Sequence, residues 1–289
     1  MSRRLQQQET AGPYMRTSLV TILALVAAAI LSTAVQAADM PSVWNNIMST
    51  KKLRVCVIPS YQPYAWKDEA GTWQGFAPEM GRDVAKALHV EPEFVETTQG
   101  TIVLDLQSNK CDTYFAFNAT PERALAIDFA GPIYTLGFIF IDRKGWQPPG
   151  HRWVDFNDPN IRICYVIGAS QEQQLKRFDP KADLIGLAKV DDCLLAVQSG
   201  RADSYLAATL DGLVTKQKNP QLGDLVFPQP PNALPSYAGI RIDSDGRFQK
   251  FMQRWAEYNR ANGNVAQWLV GALEKYGVSP STIPADIQF

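Results

Sequence analysis

Histidine is nearly absent from this chain of 289 residues. His89 and His151 are the only two and lie far apart, so no histidine-based metal centre can be built from them. Neither sign of charge is in excess: 28 Lys+Arg stand against 29 Asp+Glu. That balance excludes the strongly basic footprint expected of a nucleic-acid-binding protein. The longest apolar stretch, residues 19–31, is short of the roughly 20 residues that a membrane-spanning helix needs. None of the four cysteines forms a C-x-x-C pair, which argues against a zinc site or a thioredoxin-like redox pair. No metal and no cofactor is expected. What is present is a globular composition, 46% hydrophobic and 20% charged, in a chain long enough for one large domain or two lobes.

The N-terminal segment reads as an export signal. Arg3, Arg4 and Arg16 precede the apolar stretch, and small residues lead on to Val35, Gln36 and Ala37. A basic region, a short apolar core and small residues at −3 and −1 make a cleavable secretory leader. Residues 1–37 are therefore expected to be the signal peptide, cut after Ala37, with translation starting at Met1 or Met15. Its removal takes away three arginines and one glutamate and moves the net charge from −1 to −3.

The rest of the chain reads as two similar halves. In the first, residues 53–58 form an apolar, β-branched strand, 66–73 a hairpin turning at 68–71, and 92–96 and 111–118 two further strands. A helix starts at Phe76, with Met80, Val84 and Leu88 on the same face, and a second covers 102–107. In the second half, strands are expected over 161–167, 183–185 and 202–207. Helices are expected over 171–178, behind the tight turn Gly168-Ala169-Ser170, and over 191–198 with Asp191 as N-cap. Each half runs β-α-β-α-β, which argues for a mostly parallel sheet flanked by helices. Beyond Pro228, Pro230 and Pro231 come a strand (237–242) and a helix over 248–262 with Phe248, Met252, Trp255 and Tyr258 facing one way. A last helix over 265–276 ends at Gly277.

Export changes the reading of the cysteines, because an even count in an exported chain suggests two disulfides. Sequence alone allows three pairings. The halves place their cysteines alike, one in the first strand and one near the third, which favours Cys56–Cys111 and Cys164–Cys193. Four buried thiols are the alternative.

Several segments together resemble one family. Leu53-Arg54-Val55, Tyr61-Gln62-Pro63-Tyr64, Gly75-Phe76, the run 106–112, Thr120-Pro121-Glu122-Arg123-Ala124, Ile127-Asp128-Phe129, Gly200-Arg201-Ala202-Asp203 and Tyr237-Ala238-Gly239-Ile240 resemble the family 3 extracellular solute-binding proteins. Each motif is weak; their order over residues 50–278 is specific. The resemblance implies a type II periplasmic-binding fold of two α/β lobes joined by hinge strands. It implies a periplasmic, non-catalytic receptor, a monomer, that closes on a small carboxylate-bearing solute and delivers it to an ABC-type permease in the inner membrane. Crossovers are then expected near residues 140–143 and 232–237, with lobe 1 from 39–140 and 237–289 and lobe 2 from 143–234.

The resemblance also assigns a site. Arg123 matches the arginine that grips the ligand's α-carboxylate, and a planar guanidinium suits that task. Asn118 matches a position that contacts the same carboxylate, Thr120 opens the Arg123 motif, and Tyr64, with Tyr61 as a second candidate, matches the aromatic that stacks on the ligand. Ser170 offers a helix-start N–H to the carboxylate or serves only as N-cap, and Gly168 allows the close approach. One departure stands out. The acid that pairs with a ligand ammonium falls at Ala208, followed by Thr209, so a carboxylate lacking an α-ammonium is a candidate ligand. Two other relatives share parts of the pattern: cyclohexadienyl dehydratases, for which Glu172 and Asp211 would be acid candidates, and solute-binding-like proteins associated with quinoprotein dehydrogenases. N-terminal sequencing of the exported protein should give Ala38 as first residue; an intact leader would refute cleavage.

Overall fold

The computed structural model describes residues 42–283; the expected signal peptide with its Ala37 cleavage site, and residues 284–289 of the expected first lobe, lie outside that range. The architecture is α/β, built on two five-stranded sheets. In chain order the strands are β1 Lys52–Val57, β2 Trp66–Lys67, β3 Trp73–Gln74, β4 Glu91–Glu96, β5 Thr113–Asn118, β6 Asp128–Leu136, β7 Phe138–Asp142, β8 Arg162–Val166, β9 Asp183–Leu187, β10 Ser204–Ala208, β11 Leu225–Val226 and β12 Leu234–Ile240.

The first sheet has the order β4-β1-β5-β12-β6 and the second β11-β7-β10-β8-β9. In each, three strands run parallel at one side, β4-β1-β5 and β9-β8-β10, and antiparallel strands complete the other side. β1 and β8, the middle strands of the two parallel sets, are largely buried and apolar, as strands covered on both faces must be. The helix Phe76–Leu88 buries Phe76, Met80, Val84 and Leu88, the face its periodicity marks. The helices Ile102–Gln107 and Ser170–Phe178 also fall where expected.

The same side-chain clamp recurs in both halves. Arg54 of β1 binds Asp112 just before β5, with Nε on Oδ2 and an Nη on Oδ1. Arg162 of β8 binds Asp203 just before β10 in the same two-pronged way. Each carboxylate also accepts its arginine's own backbone N–H. A bidentate, charge-assisted pair closed at both ends fixes where the third strand joins the first. The disulfides Cys56–Cys111 and Cys164–Cys193 lie beside these clamps, each with Cα atoms 5.6 Å apart.

Three details differ from the sequence reading. First, β6 ends at Leu136 and β7 begins at Phe138, so Gly137 alone carries the chain between sheets. Residues 140–142, expected at the crossover, instead pair with β10 and β11, because all of 138–142 is buried. The return passage lies between β11 and β12, and β12 already starts at Leu234. Second, the helix Val190–Gln198 is preceded by Lys189, and Asp191 stands in its first turn rather than at the N-cap. Third, Tyr258 is exposed on the helix Arg247–Ala261. The buried stripe follows the 3.6-residue period from Phe248, Met252 and Trp255 to Asn259, whose side chain is satisfied by Trp255 O and Asn264.

The helix Thr209–Lys218 follows β10 of the second sheet, yet its Leu210, Leu213 and Val214 belong to the buried cluster that holds Tyr61, Tyr64 and Phe76 of the first. Its first N–H, from Thr209, donates to the Gly137 carbonyl at 3.1 Å. The disulfides close loops of 55 and 29 residues, which the chain-entropy model values at about 4 kcal/mol each. Reduction, or replacing Cys164 and Cys193 together by serine, should lower the melting temperature by roughly 10 °C per bond while leaving the fold intact at 25 °C; an unchanged melting curve would refute the pairing's role.

Candidate functional site

The carboxyl ends of the parallel strands of both sheets face one another. Ligands of open α/β sheets bind at such ends. A cavity of about 220 Å³ lies there, with walls from both lobes. The first lobe supplies Ser60 and Tyr61 after β1 and Thr97 to Gln99 after β4. The second supplies Ala169 and Gln171 after β8, Ala188 to Asp191 after β9, and Tyr205 of β10.

Arg123 stands beside this cavity, at the seam between lobes. Thr120 caps the short helix Pro121–Ala124, its hydroxyl accepting from the Arg123 N–H at 3.3 Å. That cap turns the Arg123 side chain along β5, over the Phe117 ring at 4.9 Å. One Nη donates to Asn118 O at 3.0 Å, and the other crosses the seam to Gly168 O at 2.9 Å. Burial pulls the guanidinium's pKa down from its ordinary value, with Tyr114 and Glu122 opposing. Gln173 crosses the same seam to Glu122 at 3.3 Å.

Gly168 fits this junction through its lack of a side chain. Its φ is +79°, and a Cβ there would sit 3.1 Å from the Gln99 carbonyl and Gly100 Cα. Its N–H is taken by Glu172 Oε2 at 3.0 Å. Ser170 is the first residue of its helix; the N-cap is Ala169, so the N-cap reading of Ser170 does not hold. Asn118 turns its amide away, donating to Pro235 O at 3.2 Å.

Tyr61 and Tyr64 stack at 4.3 Å with their planes 6° apart. Tyr61 is on the cavity wall, and Tyr64 lies behind it against Phe76. Ala208 is buried and precedes the helix Thr209–Lys218, and Thr209 is spent on Gly137. The structure thus gathers Arg123, Asn118, Thr120 and Gly168 at the seam and puts Tyr61 in the wall. Ala208 and Thr209 sit apart from the wall.

Sequence reasoning missed Gln99, Gln171, Lys189, Asp191 and Tyr205. Gln99 and the pair Lys189 and Asp191 follow β4 and β9, the outer strands; the sequence gives their polar character but not that the outer strands of both sheets converge. Asp211 is also deeper than expected. It is buried at the first turn of its helix, accepting from Tyr205 Oη at 3.3 Å and Thr215 Oγ1 at 3.5 Å.

The defining pattern of the bacterial extracellular solute-binding proteins, family 3, matches residues 53–258. The chain belongs to this family. A probable amino-acid ABC transporter periplasmic-binding protein of Sinorhizobium fredii is 30% identical over 52% of the chain; that match spans only about half of the relative's own length. A cyclohexadienyl dehydratase of Pseudomonas aeruginosa is 21% identical over 80% of this chain and 85% of its own. Among solved structures, an ancestral amino acid-binding protein described as a precursor of cyclohexadienyl dehydratase is 27% identical. It superposes with a TM-score of 0.70 over 81% of this chain and 99% of its own. A cysteine-binding protein of Campylobacter jejuni shares the fold at 17% identity and a TM-score of 0.74, over 85% of this chain and 98% of its own. Among the described residues of this solute-binding protein no helix is long and apolar enough to cross a membrane, and no cluster of metal-ligating side chains occurs.

Three buried acids make its stability depend on pH. Burial pushes Asp142, Asp179 and Asp211 each up to about 7. The carboxyl oxygens of Asp179 have no hydrogen-bond partner among the described residues. A carboxyl whose pKa is raised in the folded state holds its proton there longer than in the unfolded chain. The stability that these three groups contribute is then highest below about pH 4, falls as pH rises toward 7, and levels off above. Melting temperature should drop between pH 5 and 7.5, and Asp211→Asn should make that drop shallower. An equally steep drop in Asp211→Asn would show that Asp211 is not titrating in this window.

Proposed function

We propose that this protein is a periplasmic receptor that closes its two lobes on a small carboxylate-bearing solute, an amino acid or related organic acid, and hands it to an ABC-type permease, without catalysis. The observation that carries this reading is the cavity walled by strand ends of both lobes, with a guanidinium at the seam. Arginine has five N–H donors; Arg123 spends two on Asn118 and Gly168, leaving three, Nε included, for a carboxylate. Tyr61 supplies a flat apolar wall, and the uncapped start of the helix Ser170–Phe178 adds free N–H groups beside it. The family and the relatives named as amino-acid binding proteins agree with this reading.

The dehydratase among the relatives raises the question of catalysis. Such a reaction needs a general acid that faces the substrate. Burial raises the pKa of Glu172, but Lys176 and the Gly168 N–H outweigh it and hold the carboxylate below its usual range. Asp211 keeps its proton more readily, but it lies behind Tyr205 rather than in the cavity wall. Neither acid is placed to serve, which supports the receptor.

A thermal-shift screen of residues 38–289, unfolded and refolded to remove bound solute, tests the reading against amino, hydroxy, keto and aromatic acids. At about 100 Kd a ligand stabilises by nearly 3 kcal/mol. That shift should vanish in Arg123→Ala. The reading fails if no carboxylate stabilises the protein, or if the shift survives the substitution. Consumption of the stabilising solute, followed by chromatography, would establish an enzyme instead.

A further inference from the structure

Glu172 is not placed to act as an acid, yet both of its carboxylate oxygens are engaged. Oε2 accepts the Gly168 N–H at 3.0 Å, and Oε1 accepts Lys176 Nζ at 2.6 Å, one helical turn further on. Its own N–H donates to the Ala169 carbonyl at 3.2 Å, so the residue is held at both ends. The other residues of this turn serve other ends. Gln171 faces the cavity, Gln173 crosses to Glu122, and Gln174 accepts from Asn232 on the return passage between the sheets. In a turn of neutral amides, the one charged group is the one tied to the seam glycine. Gly168 stands between two peptide planes. The plane after it is held at its nitrogen, where the Ala169 N–H donates to Val166 O at 3.2 Å, and at its oxygen, where Arg123 arrives from the first lobe. The plane before it is held through its N–H by Glu172. Only φ and ψ turn freely between such planes. The close approach of Gln99 and Gly100 requires a glycine here, and glycine is the residue least able to hold a peptide in one orientation by itself.

We propose that Glu172 is a positioning residue for lobe closure: its carboxylate, anchored on Lys176, sets the Gly168 turn so that the Gly168 carbonyl meets Arg123, and through that contact it steadies the guanidinium for a solute carboxylate. The purpose rests on the receptor reading above. Glu172 itself stays out of the cavity wall and acts through Gly168 and Arg123 alone. Fixing the first peptide plane aims the second, so the bond that Glu172 makes inside the second lobe decides how well the first lobe is gripped. The role asks for an acceptor at that reach. A carboxylate gives a charge-assisted bond, glutamine keeps an acceptor oxygen in the same place, and alanine has none.

Electron–electron resonance distances between spin labels on Leu104→Cys and Leu195→Cys test this in the exported chain with both disulfides closed. These side chains are 62% and 64% exposed, on helices of different lobes. Glu172→Ala should raise the population of longer inter-lobe distances roughly tenfold, the scale of a hydrogen bond to a charged group, and should speed hydrogen exchange of the Gly168 amide by a similar factor. Glu172→Gln should keep both close to wild type. In Arg123→Ala, which removes the other half of the contact, Glu172→Ala should add nothing further to the distances. A glutamate that only supports its own helix would lower the melting temperature in Glu172→Ala without moving the lobes. That result, a Glu172→Gln protein that behaves like Glu172→Ala, or additive effects with Arg123→Ala each overturn the proposal. If the lobes part as expected while no carboxylate stabilises the protein in the thermal-shift screen, the positioning role stands and the receptor reading falls. If a carboxylate stabilises wild type and Glu172→Ala alike and the distances are unchanged, the positioning role falls and the receptor reading stands.

Discussion

One guanidinium holds the cleft together. Arg123 reaches a carbonyl in each lobe, Asn118 on its own side and Gly168 on the other, and Gln173 crosses the same seam to Glu122 beside it. Its supports are ordinary: a threonine hydroxyl that caps a four-residue helix, an aromatic face beneath the charge, and a glycine that lets two backbones come within contact. Arginine keeps its proton at any pH a cell meets. The bridge is therefore indifferent to acidity, while Asp211, buried behind Tyr205, is not.

Each lobe is held by its own copy of one device. Arg54 with Asp112, and Arg162 with Asp203, pin the third strand to the first, and a disulfide stands beside each pin. A buried carboxylate is tolerable there because two arginine nitrogens and a backbone N–H satisfy it. With the strand positions held from within, the loops beyond the strand ends are free to carry recognition. The helix Thr209–Lys218 departs from this autonomy, since it leaves the second sheet and buries its apolar face in the first lobe's core.

Much of this was legible in the chain. The helix at Phe76 announced itself by a face repeated every four residues, the β-α-β-α-β order twice over implied the three parallel strands of each sheet though not the antiparallel strands that complete it, and the matching cysteine positions pointed to the disulfides. What escaped was whatever depends on distant partners. Tyr258 looked like part of an apolar stripe, but the true stripe advances to Asn259, a polar residue satisfied by Trp255 O and by Asn264 of the next helix. The Asn118 side-chain amide turns to β12, whose place beside β5 no local pattern reveals. Asp191 looked like a cap and became a wall, because the loops after β4 and β9 meet only once both sheets are built.

Gly137 gives this arrangement a lever. The chain passes from sheet to sheet in a single residue, at the side where β6, β12 and β7 lie, whereas β4 and β9 form the opposite margins. A rotation about that pivot displaces the near strands little and the far margins most. The loops carrying Gln99 and Asp191 sit on the long arm, so a few degrees at one glycine become ångströms at the mouth. The cavity walls carried beyond the outer strands therefore lie a sheet's width from that pivot.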